Sequence, residues 1–175
     1  MLKVFNTQFT GATKALLNKE EELEDAARLL TQAITSNGTV YIAAFGEMKA
    51  IEAEALYGKE AFPQAVELKP SDLDSLTERD RVLITSRFSD DIDAIKLANI
   101  VSEKNVPIFS ITTITEDGAN SLVHLSDFIL DLNLHQGLVP DEDGSRIGYP
   151  ASLLGLHAYF LLSLTIREML GEVEG

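Results

Sequence analysis

The sequence predicts an α/β fold, a three-layer α/β/α sandwich on a parallel five-stranded sheet. Two observations predict it. Short apolar runs alternate with helical patterns of roughly ten to fifteen residues, the arrangement that gives parallel strands with crossover helices. The runs are apolar throughout rather than at every second residue, as in strands covered on both faces. The length agrees, since 175 residues suit one domain that buries roughly 70% of its unfolded surface.

The elements follow in order. Over 10–36, Leu16, Leu17, Leu23, Ala26, Ala27, Leu29, Leu30, Ala33 and Ile34 recur at helical spacing, and Ser36-Asn37-Gly38 closes the helix. Glu20, Glu21, Glu22, Glu24 and Asp25 give it a solvated face. The sheet core spans 39–131. Its first strand is Thr39 to Phe45, ended by Gly46, and a helix from Glu47 to Tyr57 stops at Gly58. Ala65 to Leu68 is a weaker strand ended by Pro70, and Ser71-Asp72-Leu73 reads as an N-cap and a short helical turn. Arg81 to Thr85 is the third strand. Asp90 to Lys104 is an amphipathic helix with Ile92, Ile95, Ala98 and Val101 inward. Val106 to Thr112 and Asp127 to Asp131 complete the sheet. An irregular acidic loop over 132–149 leads to a last helix over 150–170, with Pro150 at its start.

Composition narrows the function. Lys and Arg number 14 and Asp and Glu 28, for a net charge of −14. Such acidity argues against nucleic acid, because phosphate-backbone binding needs concentrated cations. Small anions remain possible partners, through backbone N–H groups and hydroxyls. The absence of cysteine removes disulfides, thiolate nucleophiles and iron–sulfur clusters, and it suits a cytoplasmic location. The first residues have no signal-peptide character. From Ile147 to Ile166 there is no charged residue, which approaches the ~20 residues of a membrane span. Gly148, Pro150, Gly155 and His157 within it, and acidic flanks, favour a buried helix and no membrane association. No metal-ligand spacing links His124, His135 and His157, so neither metal nor cofactor is expected.

Ligands of open parallel sheets bind beyond the carboxyl ends of the strands. Four loops lie there: Phe45 to Met48, the stretch before Pro70, Ser86 to Asp90, and Thr112 to Thr115. Their glycine, hydroxyls and helix starts suit a phosphate group, and they serve equally as ordinary N-caps. Arg87 can grip phosphate bidentately or pair with Asp90 or Asp91. Arg146 can reach phosphate or pair with Asp141 or Asp143.

Val82-Leu83-Ile84-Thr85-Ser86-Arg87-Phe88-Ser89-Asp90 resembles the phosphate loop of the SIS (sugar isomerase) domain family, an apolar strand followed by Ser-x-Ser-Gly-x-Thr. Val106 to Thr112, Ser121-Leu122 and Ser126 to Leu130 are similar to that family's fourth strand, short helix and fifth strand, so the likeness covers about residues 10–170. The resemblance implies the flavodoxin-like strand order 2-1-3-4-5 and a phosphosugar ligand. It also implies a homodimer or homotetramer, which the N- and C-terminal helices are placed to form. Ala53-Glu54-Ala55-Leu56-Tyr57-Gly58-Lys59 resembles the phosphoheptose isomerase branch's Ala-Glu-Glu-Leu-x-Gly-Arg. That likeness implies Glu54 and His157 as the acid–base pair of an aldose–ketose isomerase. It implies Gly46, Glu47, Ser86, Arg87, Ser89, Thr112 and Thr113 as phosphosugar-binding residues. The chain departs from the pattern at four places. Met48 replaces a serine, Phe88 the loop glycine and Asp90 its threonine, which makes the phosphate loop degenerate. Ala55 falls on the catalytic carboxylate's position in the ungapped match. His157 also fits a role as a core or interface residue. Three functions stand open on these residues: a phosphosugar isomerase, a catalytically inactive phosphosugar-binding or regulatory module, and a structural dimer.

Overall fold

The computed structural model describes residues 1–115 and 121–174, with side chains to residue 171. Strands β1 (Val40–Ala44), β2 (Ala65–Glu67), β3 (Arg81–Phe88), β4 (Ile108–Thr113) and β5 (Phe128–Asp131) form one sheet in the order β2-β1-β3-β4-β5. Every ladder in it is parallel. The order follows from right-handed crossovers. Helix α3 (Lys49–Tyr57) carries the chain outward from β1 to β2 on one face, and α4 (Ile92–Glu103) carries it from β3 to β4 on the other.

Alternation along the strands feeds both layers. Leu83, Phe109, Ile111 and Leu130 enter a core shared with α2 (Glu20–Thr35), α3 and α6 (Ala151–Glu174). Val82, Ile84 and Ile108 enter a second core under α4 and the short α5 (Leu122–Leu125). Helix α6 is long and apolar enough to cross a membrane. Here it seats Leu154, Ala158, Leu162 and Ile166 in the first core.

The helix expected as one piece over 10–36 is two. Helix α1 (Leu2–Leu17) ends at Asn18, whose N–H turns back to the Ala15 carbonyl as the Lys19 N–H does to that of Leu16, and Lys19 leaves helical angles at φ −101°, ψ 39°. The break puts Glu20, Glu21 and Glu22 in the first turn of α2, at the positive end of its dipole. It also lets α2 pack Leu23, Ala26, Ala27, Leu30 and Ala33 into the core.

Strand β3 outruns its expected end at Thr85. It reaches Phe88, which pairs with Thr113 beyond an irregularity in register. Ser86 and Arg87 therefore belong to a strand and not to a loop. Ile92, expected inward, is 70% exposed. The N-cap of α4 is Asp91, and Ala94, Ala98 and Val101 form its buried side. Ser71 is not an N-cap either. The helical turn Pro70–Ser75 starts from Lys69, whose backbone N–H donates to Asp72 Oδ2 at 2.9 Å. The acidic loop 132–149 contains an antiparallel hairpin of β6 (Val139–Pro140) and β7 (Arg146–Ile147). Arg146 pairs with neither Asp141 nor Asp143. Its guanidinium donates to the Gly137 and Leu138 carbonyls at 2.7 and 2.9 Å, closing the hairpin's base.

Candidate functional site at the strand tips

The chain's two crossovers diverge between β1 and β3, and there the sheet opens a crevice. Gly46 turns the chain off β1 at φ +58°, a left-handed conformation that glycine adopts freely. Beside it lies a cavity of about 190 Å³ lined by Phe45, Gly46, Glu47, Arg87, Phe88, Asp90 and Asp91. Arg87 partners Glu47 rather than Asp90 or Asp91. Its Nε and Nη2 donate to the two Glu47 carboxylate oxygens at 2.6 and 2.7 Å. Those hydrogen bonds hold the Glu47 carboxyl below its ordinary value and raise the guanidinium. The Arg87 side chain is 52% exposed, and a pair so exposed contributes about 0–1 kcal/mol. Breaking that pair therefore costs little, while Asp90 and Asp91 in the same lining oppose an incoming anion. Tyr149 stands against this group, its ring edge-on to Phe88 with centroids 6.2 Å apart and its hydroxyl donating to the Leu134 carbonyl. Burial pushes its phenol above the ordinary value.

The hydroxyls expected to bind phosphate are walls rather than lining. Ser86, Ser89, Thr112 and Thr113 are all buried. Ser86 Oγ donates to the Phe88 carbonyl at 2.8 Å and lies 3.1 Å from Thr112 Oγ1. Thr113 Oγ1 accepts the Leu134 N–H at 3.2 Å, and Ser89 Oγ accepts the Thr115 N–H at 3.1 Å. Together they stitch β3 to β4 and to the segment after β5. The start of α4 already holds an anion of its own, since Asp91 Oδ1 accepts from the Asp93 and Ala94 N–H groups at 3.1 and 3.0 Å. Of the expected binding residues, Gly46, Glu47 and Arg87 line the cavity; Ser86, Ser89, Thr112 and Thr113 do not.

Glu54 and His157, expected as the acid–base pair, both lie outside the lining of the Arg87 cavity. Among the described residues no hydrogen bond or ion pair joins them. The charge of Glu54 acts instead on Tyr159, whose phenol is pushed up to about 12 by burial first and Glu54 second. Tyr159 lies two residues beyond His157, about 200° around α6. His157 Nε2 is sealed from solvent and has no hydrogen-bond partner among the described residues. Ala55, at the position matching the family carboxylate, is fully buried. Met48, in place of the family serine, is buried beneath Gly155, where an added Cβ would lie 2.7 Å from its methyl.

Sequence reasoning named the stretch before Pro70 but missed the cavity it helps to form. This second space, about 250 Å³, lies on the other side of Phe45. Ala43, Ala44, Leu68, Pro70, Leu73 and Leu97 line it together with Lys49, Glu52, Glu67, Lys69 and Asp93. Tyr149 was missed as well, although a lone aromatic between Gly148 and Pro150 in a polar loop was a usable signal.

A family model described as a domain of unknown function, DUF2529, matches residues 1–170. The chain belongs to the DUF2529 family. Within reach of that assignment is the protein YwjG of Bacillus subtilis, described as uncharacterized. It is 36% identical over 173 residues, 98% of this chain and 99% of that protein. Solved structures extend the likeness in shape alone. The chain is similar to a phosphoheptose isomerase from Francisella tularensis with a TM-score of 0.66 at 14% identity, covering 95% of this chain and 98% of that one. It is similar to the Vibrio vulnificus NanR protein, solved in complex with ManNAc-6P, with a TM-score of 0.67 at 15% identity. There the match covers 98% of this chain and 62% of NanR, so the chain spans less than two thirds of that protein. The fold is the SIS type, with its parallel sheet in the order β2-β1-β3-β4-β5.

Proposed function

We propose that this chain is a phosphosugar-binding SIS module that does not isomerise its ligand. One observation carries the reading: the strand-tip cavity holds a guanidinium able to take phosphate but neither member of the acid–base pair that an isomerase needs. Arg87 binds the phosphate bidentately in place of Glu47, Gly46 gives it close backbone approach, and Phe88 and Tyr149 flank the sugar. Ser86, Ser89, Thr112 and Thr113 keep the strand tips in place from behind. Neighbours of this fold support a phosphorylated sugar as ligand, since NanR is solved with ManNAc-6P.

The module works as a homodimer through α1 and α6. Leu153, Phe160 and Leu164 form an exposed stripe along α6, with the half-buried His157 on the same face. Leu2, Val4 and Leu17 of α1 are exposed as well.

The test is a panel of sugar phosphates read by thermal shift and by a nuclear magnetic resonance assay for aldose–ketose conversion. Ligand at 100 times its Kd stabilises by roughly 2.7 kcal/mol, so binding without turnover is the expected result. Turnover that Glu54→Gln abolishes would restore the isomerase, and no shift with any member would remove the phosphosugar. Light scattering across a dilution series checks the dimer, and a monomer mass throughout would refute it.

A further inference from the structure

The second strand-tip cavity, between the ends of β1 and β2, differs from the first in its chemistry. Leu68, Pro70, Leu73 and Leu97 give it an apolar slot, with Ala43, Ala44 and Phe45 behind. Its charged groups are not engaged with one another. Among the described residues none of Lys49, Glu52, Glu67 and Lys69 forms an ion pair, whereas Arg87 and Glu47 next door do. At about 250 Å³ the space lies just below the roughly 300–1,000 Å³ of drug-sized sites. It therefore suits a small cyclic ligand rather than a whole dinucleotide.

Position adds to composition. Glu67 is the last residue of β2 and lies 21 residues beyond Gly46, the glycine that turns the chain off β1. In doubly wound sheets with a Gly-x-Gly-x-x-Gly turn, a carboxylate about 20 residues on accepts a ribose hydroxyl; this chain keeps the spacing with the single glycine Gly46. Lys49 and Lys69 are exposed at the rim, where two ammonium groups can meet a phosphate. Glu52 is half-buried in the wall, and burial, with the charge of Glu67, holds its carboxyl above the ordinary value. A carboxylate so placed can accept from the amino edge of a nucleobase.

The geometry points to a nucleoside monophosphate site here, with the base between Leu68, Leu73 and Leu97, the ribose diol on Glu67 and the phosphate on Lys49 and Lys69. This site is separate from the phosphosugar cavity across Phe45, and it stands whether or not that reading does.

Calorimetric titration of the full chain with AMP, GMP and adenosine tests it. Saturable one-to-one binding is expected, tighter for a nucleotide than for adenosine. Glu67→Gln weakens it about tenfold by removing a charged acceptor from the ribose. Because Glu67 is exposed, this variant keeps the parent's melting temperature. Lys69→Gln removes the preference for nucleotide over nucleoside. No binding of any of the three, or nucleotide binding that Glu67→Gln leaves unchanged, overturns the site. So does a sugar phosphate that binds through Glu67 where nucleotides do not. Absence of any sugar-phosphate binding to the parent chain with nucleotide binding intact would strike only the phosphosugar reading.

Discussion

Arg81 and Arg87 are six residues apart on β3, and the two ends of that strand put them to different uses. Arg81, at the amino end, is 8% exposed. Its Nε donates to the Leu29 carbonyl at 3.1 Å, its Nη1 to the Glu78 and Asp80 carbonyls at 2.9 and 2.7 Å, and its Nη2 to Gln32 Oε1 at 3.0 Å. Asp80 beside it accepts the Thr39 and Thr77 N–H groups at 2.8 and 2.7 Å. Burial lowers the Arg81 pKa, and the charges of Asp127 and Asp80 oppose that shift. Arg87, at the carboxyl end, is half-exposed and has one carboxylate partner. One arginine fastens α2 to the sheet. The other stands over a cavity with a partner that a ligand can replace. In a parallel sheet the carboxyl ends are where the crossovers diverge and leave a crevice, so the same side chain has solvent and space at one end only.

The sharpest test of this contrast replaces each arginine. Arg81→Met strands the buried Leu29 and Asp80 carbonyls and the part-buried one of Glu78, and is expected to cost about 3 kcal/mol, near 9 °C in melting temperature for a chain of this size. Arg87→Met is expected to stay within about 1 kcal/mol. Equal losses in thermal melts would erase the distinction. The next effect is on binding: Arg87→Ala is expected to weaken a bound sugar phosphate about 30-fold by calorimetry, near 2 kcal/mol. A smaller effect separates wall from lining. Ser86→Ala loses the bonds to Phe88 and Thr112 and about 1.5 kcal/mol of stability by urea melt. Affinity for the sugar phosphate is expected to hold within about twofold; a larger loss would put the Ser86 hydroxyl on the ligand.

The smallest effect concerns Glu47. Its carboxyl is lower in the folded chain than its ordinary value of 4.5, so the pair's stabilisation is complete above that pH. It is lost as the pH falls through the lowered folded-state value. Glu47→Gln is expected to cost under about 1 kcal/mol at pH 7 and nothing once the pH is low enough to protonate Glu47 in the folded chain as well as the unfolded one. A stability difference that persists in acid would mean the side chain acts by packing and not by charge.

How far the site was legible follows from the range of its contacts. The strands were visible because apolar runs and their punctuation are local. Gly46, Glu47 and Arg87 were found by their places at strand ends. The roles of Ser86 and Thr112 were not, because their hydroxyls meet across 26 residues of sequence and seal each other. Nor was the Glu47–Arg87 pair, which spans 40 residues. Periodicity ran smoothly through Asn18 and Lys19, so the break between α1 and α2 was hidden too; helical spacing says which residues share a face but not which direction the chain must leave.

By itself the sequence determined the layer architecture, the strand sequence and the end of the sheet where a ligand can sit. These depend on hydrophobic pattern, turn residues and strand direction, all carried by neighbouring residues. Tertiary structure decided which hydroxyls are buried, which carboxylate holds Arg87, and that neither Glu54 nor His157 lines the Arg87 cavity. Those outcomes depend on which side chains from distant elements arrive at the same few ångströms, where burial and hydrogen bonding select among partners that a sequence pattern leaves equivalent.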